Sequence, residues 1–254
     1  MLKLLNGDIY KLLHSIGFRV MVALSILFGV IGFVSLAYAG TFDPMQSNLG
    51  GVDAFYAHFV DSRILMLVFA GVFSGLFIGE DFSCRTFQGE IASGNSRSKV
   101  LFSKTIVFLL GIFAMIIIQK SIVIVGATIV NGFGADITDF VIGNMLRAGL
   151  MFMLQIGACS MICVLTSVML KNKASIIATN FMILVLIDAI FQIMSTMSET
   201  ALAFYIKTPF MLSLTSSTTT ISQPELVLSI IIGFSTMIGI YLASNFYFQR
   251  CELK

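Results

Sequence analysis

The sequence predicts an all-α integral membrane protein of six transmembrane helices. Three observations predict it. Hydrophobic residues fill 57% of the 254 positions and charged residues only 11%, where soluble domains carry roughly 25% charged residues. Six separate apolar runs approach the length of about 20 residues that crosses a bilayer. Lys and Arg also gather on one side of those runs, the asymmetry that sets membrane orientation. No internal repeat is visible and no soluble domain fits in the connections, so residues 1–254 read as one transmembrane domain.

The elements follow in chain order. Within residues 1–17, Leu2, Leu5, Ile9, Leu12 and Leu13 make one helical stripe, with Lys3, Asn6 and Lys11 off it. That is the pattern of an amphipathic helix lying on the membrane surface. Lys3, Lys11 and Arg19 before a run ending Ala37-Tyr38-Ala39 imitate a secretory signal. The charged part is too long and too organised for one, and the first span reads as a retained anchor. Spans are expected at 20–39, 62–79, 105–130, 146–170, 175–197 and 226–247.

With the N-terminus inside, the inner side holds Lys3, Lys11, Arg19, Arg85, Arg97, Lys99, Lys104, Lys171, Lys173, Arg250 and Lys254. The outer side and outer half hold only Arg63, Lys120, Arg147 and Lys207, and the outer loops carry Asp43, Asp53, Asp61, Asp136, Asp139, Glu199 and Glu225. Both termini are therefore expected in the cytosol of a multi-pass plasma-membrane protein. The last outer connection, 198–225, is too apolar for a solvated loop. It reads either as one or two short helices dipping into the outer leaflet, broken near Pro209, or as a flap on the interface.

Chemistry is sparse. His14 and His58 are isolated, and Cys84, Cys159, Cys163 and Cys251 have no metal-ligand partners in a polar setting, so all four read as reduced thiols. An intramembrane enzyme needs paired acids, a Ser–His pair or metal ligands at depth. Asp188 is the one acid expected inside a span and no His is expected in one. No phosphate-binding G-x-x-x-x-G-K-[ST] loop occurs. The paired glycines, Gly50-Gly51 and Gly132-Phe133-Gly134, lack the Lys and lie outside. The chain is expected to be neither an enzyme nor a nucleic-acid binder, with no cofactor of its own.

One stretch stands out. Residues 79–104 carry Glu80, Asp81, Arg85, Glu90, Arg97, Lys99 and Lys104 between two apolar runs. A loop that only sets topology needs Lys and Arg, whereas this one mixes acids, bases, Phe82, Phe87, Ile91 and Val100. Nothing breaks a helix from Glu80 until Gly89, so the second span is expected to continue beyond the membrane. Ser93-Gly94-Asn95-Ser96 is turn chemistry, with Gly94 left-handed and Asn95 or Ser96 capping the next helix.

Glu80, Arg85-Thr86, Gly94-Asn95-Ser96-Arg97 and Lys104 resemble the motif of type-2 ABC exporter permeases: an acid, a basic-Thr pair, a Gly-x-Ser-Arg turn and a Lys. The motif covers about a tenth of the chain, and the six-span plan, the leading amphipathic helix and the greasy last outer loop extend the resemblance. Cys84 departs from it, standing where many relatives carry another small or polar residue. The resemblance implies that 80–99 is a cytosolic coupling element docked on an ATPase subunit, with Glu80, Arg85, Thr86, Phe87, Gly94, Ser96, Arg97, Lys99 and Lys104 as its coupling residues. It implies two cytosolic ATPases holding ATP and Mg, a second permease copy or a paralogue, and a lipid-embedded exporter of the bacterial cell membrane. The cargo expected by the same analogy is an amphipathic or hydrophobic peptide, antimicrobial or toxin-like, and the 15 Met and 24 Phe residues offer a soft apolar surface for it. An immunity or sensor component without net transport, or a multidrug or lipid exporter, would share these features.

Two charges fall inside spans. Lys120 and Asp188 each sit about 20 Å above the inner end of their spans at 1.5 Å per residue. They are expected either to pair as an outer gate or to stay apart, with Lys120 reaching outward and Asp188 protonated or capped by hydroxyls such as Ser195.

Overall fold

The computed structural model describes residues 2–42, 48–136, 138–218 and 221–250, and for Leu2, Gly40, Phe42 and Ser195 the backbone alone. Asp43, Cys251, Lys254 and the Ser195 side chain lie outside the described residues. Helices α1 (Leu2–His14), α2 (Ile16–Ala37) and α3 (Ala39–Phe42) open the chain. They are followed by α4 (Gly51–Ser74), a π-helical turn at Gly75–Gly79, α5 (Glu80–Ser83) and α6 (Thr86–Ala92). Then come α7 (Arg97–Asn131), α8 (Asp139–Leu170), α9 (Lys173–Met197), α10 (Glu199–Ile206), α11 (Pro209–Thr215) and α12 (Gln223–Arg250). No strand occurs among the described residues.

Six helical stretches are long and apolar enough to cross a membrane: Ile16–Ala37, Gly51–Ser83, Arg97–Asn131, Asp139–Leu170, Lys173–Met194 and Gln223–Arg250. This is the all-α membrane architecture read from composition. The second stretch starts eleven residues before its apolar run, so Asp53, His58 and Asp61 belong to a helix rather than a loop. Hydropathy misses this start because these polar residues break the apolar run, although His58 is buried against protein while Asp53 and Asp61 are exposed. Between 56% and 72% of the apolar windows of the α4, α7 and α8 stretches is buried, against 11% to 22% for those of α2, α9 and α12. α2 lies along α7, α9 along α4 and α12 along α8.

Polar side chains tie these layers, as expected where little hydrophobic force drives helices together. Asn180 of α9 donates to Ser74 Oγ of α4 at 2.7 Å and accepts from Thr166 of α8. Gln155 of α8 donates to the Ser229 carbonyl and hydroxyl of α12 at 2.8 and 2.9 Å. Cys159 and Cys163 pack as buried thiols in α8. The glycine pairs serve a crossing rather than a phosphate. Gly51 N donates to Gly132 O and Val52 N to Phe133 O, both at 3.0 Å. A Cβ on Gly50 would stand 2.8 Å from the Gly134 Cα, a distance only glycine avoids.

Candidate functional site

The polar stretch between the second and third spanning helices is not one continuous helix. α5 stops at Cys84, and Arg85 takes a left-handed conformation, φ 57°. α6 then starts in a new direction, so the expected continuous extension past Glu80 is corrected to a broken one. Left-handed backbone is strained for a side chain like Arg, and the turn is held by what lies behind it. Phe87 is 1% exposed and stacks near Phe82 and Phe248, with ring centroids 4.4 and 5.3 Å away. The second turn matches its sequence chemistry: Gly94 has φ 93°, and Asn95 Nδ2 donates to Glu90 O at 3.0 Å and Ser93 Oγ at 3.1 Å. Ser96 takes the N-cap position of α7 but its side chain makes no cap hydrogen bond.

Behind these turns lies a charge cluster that joins four elements. Lys104 of α7, fully buried, lies 2.7 Å from Glu90 Oε1 of α6 and 3.2 Å from Asp81 Oδ2 of α5, and also pairs with Asp8 of α1. Ser103 Oγ donates to the second Asp8 oxygen at 2.5 Å, and Lys11 of α1 pairs with Asp81. Three acids thus share two lysines. Burial pushes the Glu90 carboxyl up, with Lys104 pulling against it. Asp8 sits on the same stripe as Leu5 and Leu12, so the face that α1 turns toward α7 is partly ionic. Outside the cluster, Arg97 Nη1 donates to the Phe248 and Gln249 carbonyls at 3.3 and 3.1 Å, fastening the end of α12. That is where a cation best satisfies a helix C-terminus.

The expected coupling residues therefore divide. Arg85, Gly94, Ser96 and Lys99 are exposed, while Glu80, Thr86 and Arg97 are half-buried. Phe87 and Lys104 are buried, as is Val100, and Phe82 and Ile91 pack on the core. These five point inward, and their aromatic and apolar members anchor the turns.

At the second cluster Lys120 and Asp188 stay apart, the second of the two expected arrangements, but each has a partner that was not expected. Asp188 pairs with Arg63, not with Lys120. Nη1 and Nη2 of Arg63 each lie 2.8 Å from one Asp188 oxygen, a two-pronged contact buried between α4 and α9. Arg63 Nη1 also donates to Phe210 O of α11 at 3.1 Å, and Tyr205 OH of α10 donates to Asp188 Oδ1 at 3.1 Å. Lys120 does not reach outward either. Its ammonium donates to Ser62 Oγ at 2.9 Å and sits 3.9 and 4.9 Å from the Phe59 and Phe152 ring centres. Aromatic faces attract a desolvated cation. The planar guanidinium matches a carboxylate on two prongs and an ammonium does not, which is why Asp188 is matched by Arg63.

His58 lies buried in α4, and both its ring nitrogens lack a partner among the described residues. The Ser62 hydroxyl donates to the His58 carbonyl, not to its ring. No group of three His, Cys, Asp or Glu residues suited to a metal occurs among the described residues. Replacing Lys120 by Met is expected to leave the fold nearly intact, within about 1.5 kcal/mol, because a like-sized apolar chain fills the Phe59–Phe152 gap. Adding Asp188→Leu is expected to give no rescue, measured as the midpoint of thermal unfolding in detergent. No protein-family model matches the chain, and no curated protein matches it.

Proposed function

We propose that the chain is the membrane subunit of an ATP-driven exporter of the type-2 kind. ATP and Mg are held by two separate cytosolic ATPase subunits, and a second permease copy or a paralogue completes the pathway. The observation that carries this reading is the braced polar end. α6 and its two turns are fixed to α1, α7 and α12 by Lys104, Phe87 and Arg97, while Arg85, Gly94, Ser96 and Lys99 face out. A docking element must not yield when pushed. Its ion pairs and aromatic anchors tie it to α7, which runs unbroken for 35 residues. Displacement of the turns would then pass into the bundle as movement of a lever.

In this reading 80–99 is the cytosolic coupling element, α1 lies on the inner membrane surface, and α10 and α11 form the outer segment within 198–225. Two features favour that reading of α10 and α11. The helices break before Pro209, and Phe210, Leu212 and Ser213 are buried against the bundle. The cargo is an amphipathic or hydrophobic peptide leaving a bacterial cell.

Orientation is tested by single-Cys labelling of intact cells. A Cys at position 48 is expected to react from outside and one at 95 to stay silent; the reverse would end the reading. Coupling is tested with Arg85→Ala and Gly94→Val. Both residues are exposed, and the strain of a valine at the left-handed Gly94 falls in an open turn with no neighbour to clash, so the permease is expected to stay folded while ATPase co-purification or cargo-stimulated hydrolysis falls. Losing an interface charge of this kind costs about 2–5 kcal/mol. Normal assembly and transport in both variants would leave the element with a topological role only.

A further inference from the structure

A groove of about 410 Å³ separates the α10–α11 pair from the start of α12, and it holds two opposite charges. Its walls include Ile206, Leu212, Thr215 and Leu228, with Lys207 and Glu225 among the lining residues. Grooves of a few hundred Å³ with apolar walls and few charges are the usual form of small-molecule sites. None of the ion pairs among the described residues involves Lys207 or Glu225. Glu225 uses Oε2 to accept from Ser222 N and Oγ at 3.2 and 2.7 Å, and its Oε1 faces no donor among the described residues.

We infer that this groove binds the headgroup of an ethanolamine phospholipid, with its phosphate on Lys207 and its ammonium on Glu225. A ligand of one sign satisfies one of the two side chains and is repelled by the other; a zwitterion satisfies both. The groove lies where α12 begins, at the end of a spanning stretch, which is headgroup level. Leu228 in the wall is followed along α12 by Ile231, Phe234 and Ile238, all exposed on one broad apolar stripe. Acyl chains have a track there directly below the charges. The carboxylate also discriminates between zwitterions. An ethanolamine ammonium donates N–H bonds to Glu225, whereas a trimethylated choline has none to give and offers only its charge. The inference does not depend on the exporter reading.

The test uses the full chain purified in detergent and incubated with phosphatidylethanolamine, phosphatidylcholine or phosphatidylglycerol, with retained lipid counted by native mass spectrometry. Phosphatidylethanolamine is expected to be retained about fivefold over each of the others, the scale of one partly exposed charge contact. Glu225→Gln is expected to erase the preference over phosphatidylcholine. Lys207→Gln is expected to lower retention of both zwitterionic lipids, with Lys207→Arg restoring it. Both side chains are exposed, so folding is not at stake. Equal retention of phosphatidylglycerol, an unchanged ethanolamine-to-choline ratio in Glu225→Gln, or displacement of the lipid by an amphipathic peptide at equal concentration would each overturn the inference.

Discussion

Lys104→Met is expected to be among the most damaging single substitutions in the chain. It leaves Asp8, Asp81 and Glu90 facing one another, with only Lys11 to neutralise them. Removing one partner from a buried pair costs about 3–5 kcal/mol, because the remaining charge has lost its water and gained nothing. Here the stranded acids come from three different elements, so the loss is expected to detach α1 and α6 from α7 together. The yield of monodisperse protein and the midpoint of thermal unfolding in detergent check this. Lys104→Met with Asp8→Asn is expected to recover part of the loss, since the second change removes one stranded charge and keeps the hydrogen-bond acceptor for Ser103. A single variant as stable as the parent would mean that the cluster does not hold this end of the bundle together.

Arg63→Met is expected to have a comparable effect at the other cluster. It strands Asp188 and leaves the Phe210 carbonyl without its donor. The expected cost is again about 3–5 kcal/mol. Arg63→Met with Asp188→Leu is expected to fold well, because a buried ion pair replaced by apolar groups of similar volume is often neutral or stabilising. The double variant separates two roles. If the pair serves only the fold, α10 and α11 remain protected from limited proteolysis as in the parent. If the pair clasps the α10–α11 segment, cleavage in 199–215 rises in a protein that is otherwise intact.

The spanning helices were legible because lipid and protein interiors both select apolar residues, and run length alone marks a crossing. Which side of each helix faces inward was not legible, for the same reason. A spanning helix apolar on every side has no stripe to read, so neither the Arg63–Asp188 match nor the cage around Lys120 follows from spacing. Arg63 was visible as a cation on the acidic side of the membrane, and that oddity was the available signal for a buried partner. Asp8 carried a clearer one, an acid standing in line with Leu5 and Leu12 on an otherwise apolar face. The Gly94 turn was legible because its chemistry is local. The left-handed Arg85 was not, since Cys84-Arg85 has no turn signature and the packing of Phe87 imposes the break.

The π-helical turn at Gly75–Gly79 sets an angular phase between the two ends of the α4–α5 rod. Such a turn holds one residue more than the α-turn it replaces, and one residue is worth about 100° of rotation. Above it, Arg63 and Ser74 point toward α9; below it, Asp81 points toward Lys104. Deleting one residue from 75–79 would restore a regular α-turn and keep Asp81 facing Lys104, because the wider turn spreads its extra residue over about the same rotation. Winding all five residues as regular α-helix would instead swing Asp81 away from Lys104 by about a quarter turn. The wide turn is therefore as much a part of the charge cluster as its lysine, because it keeps the two polar centres in phase along one rod.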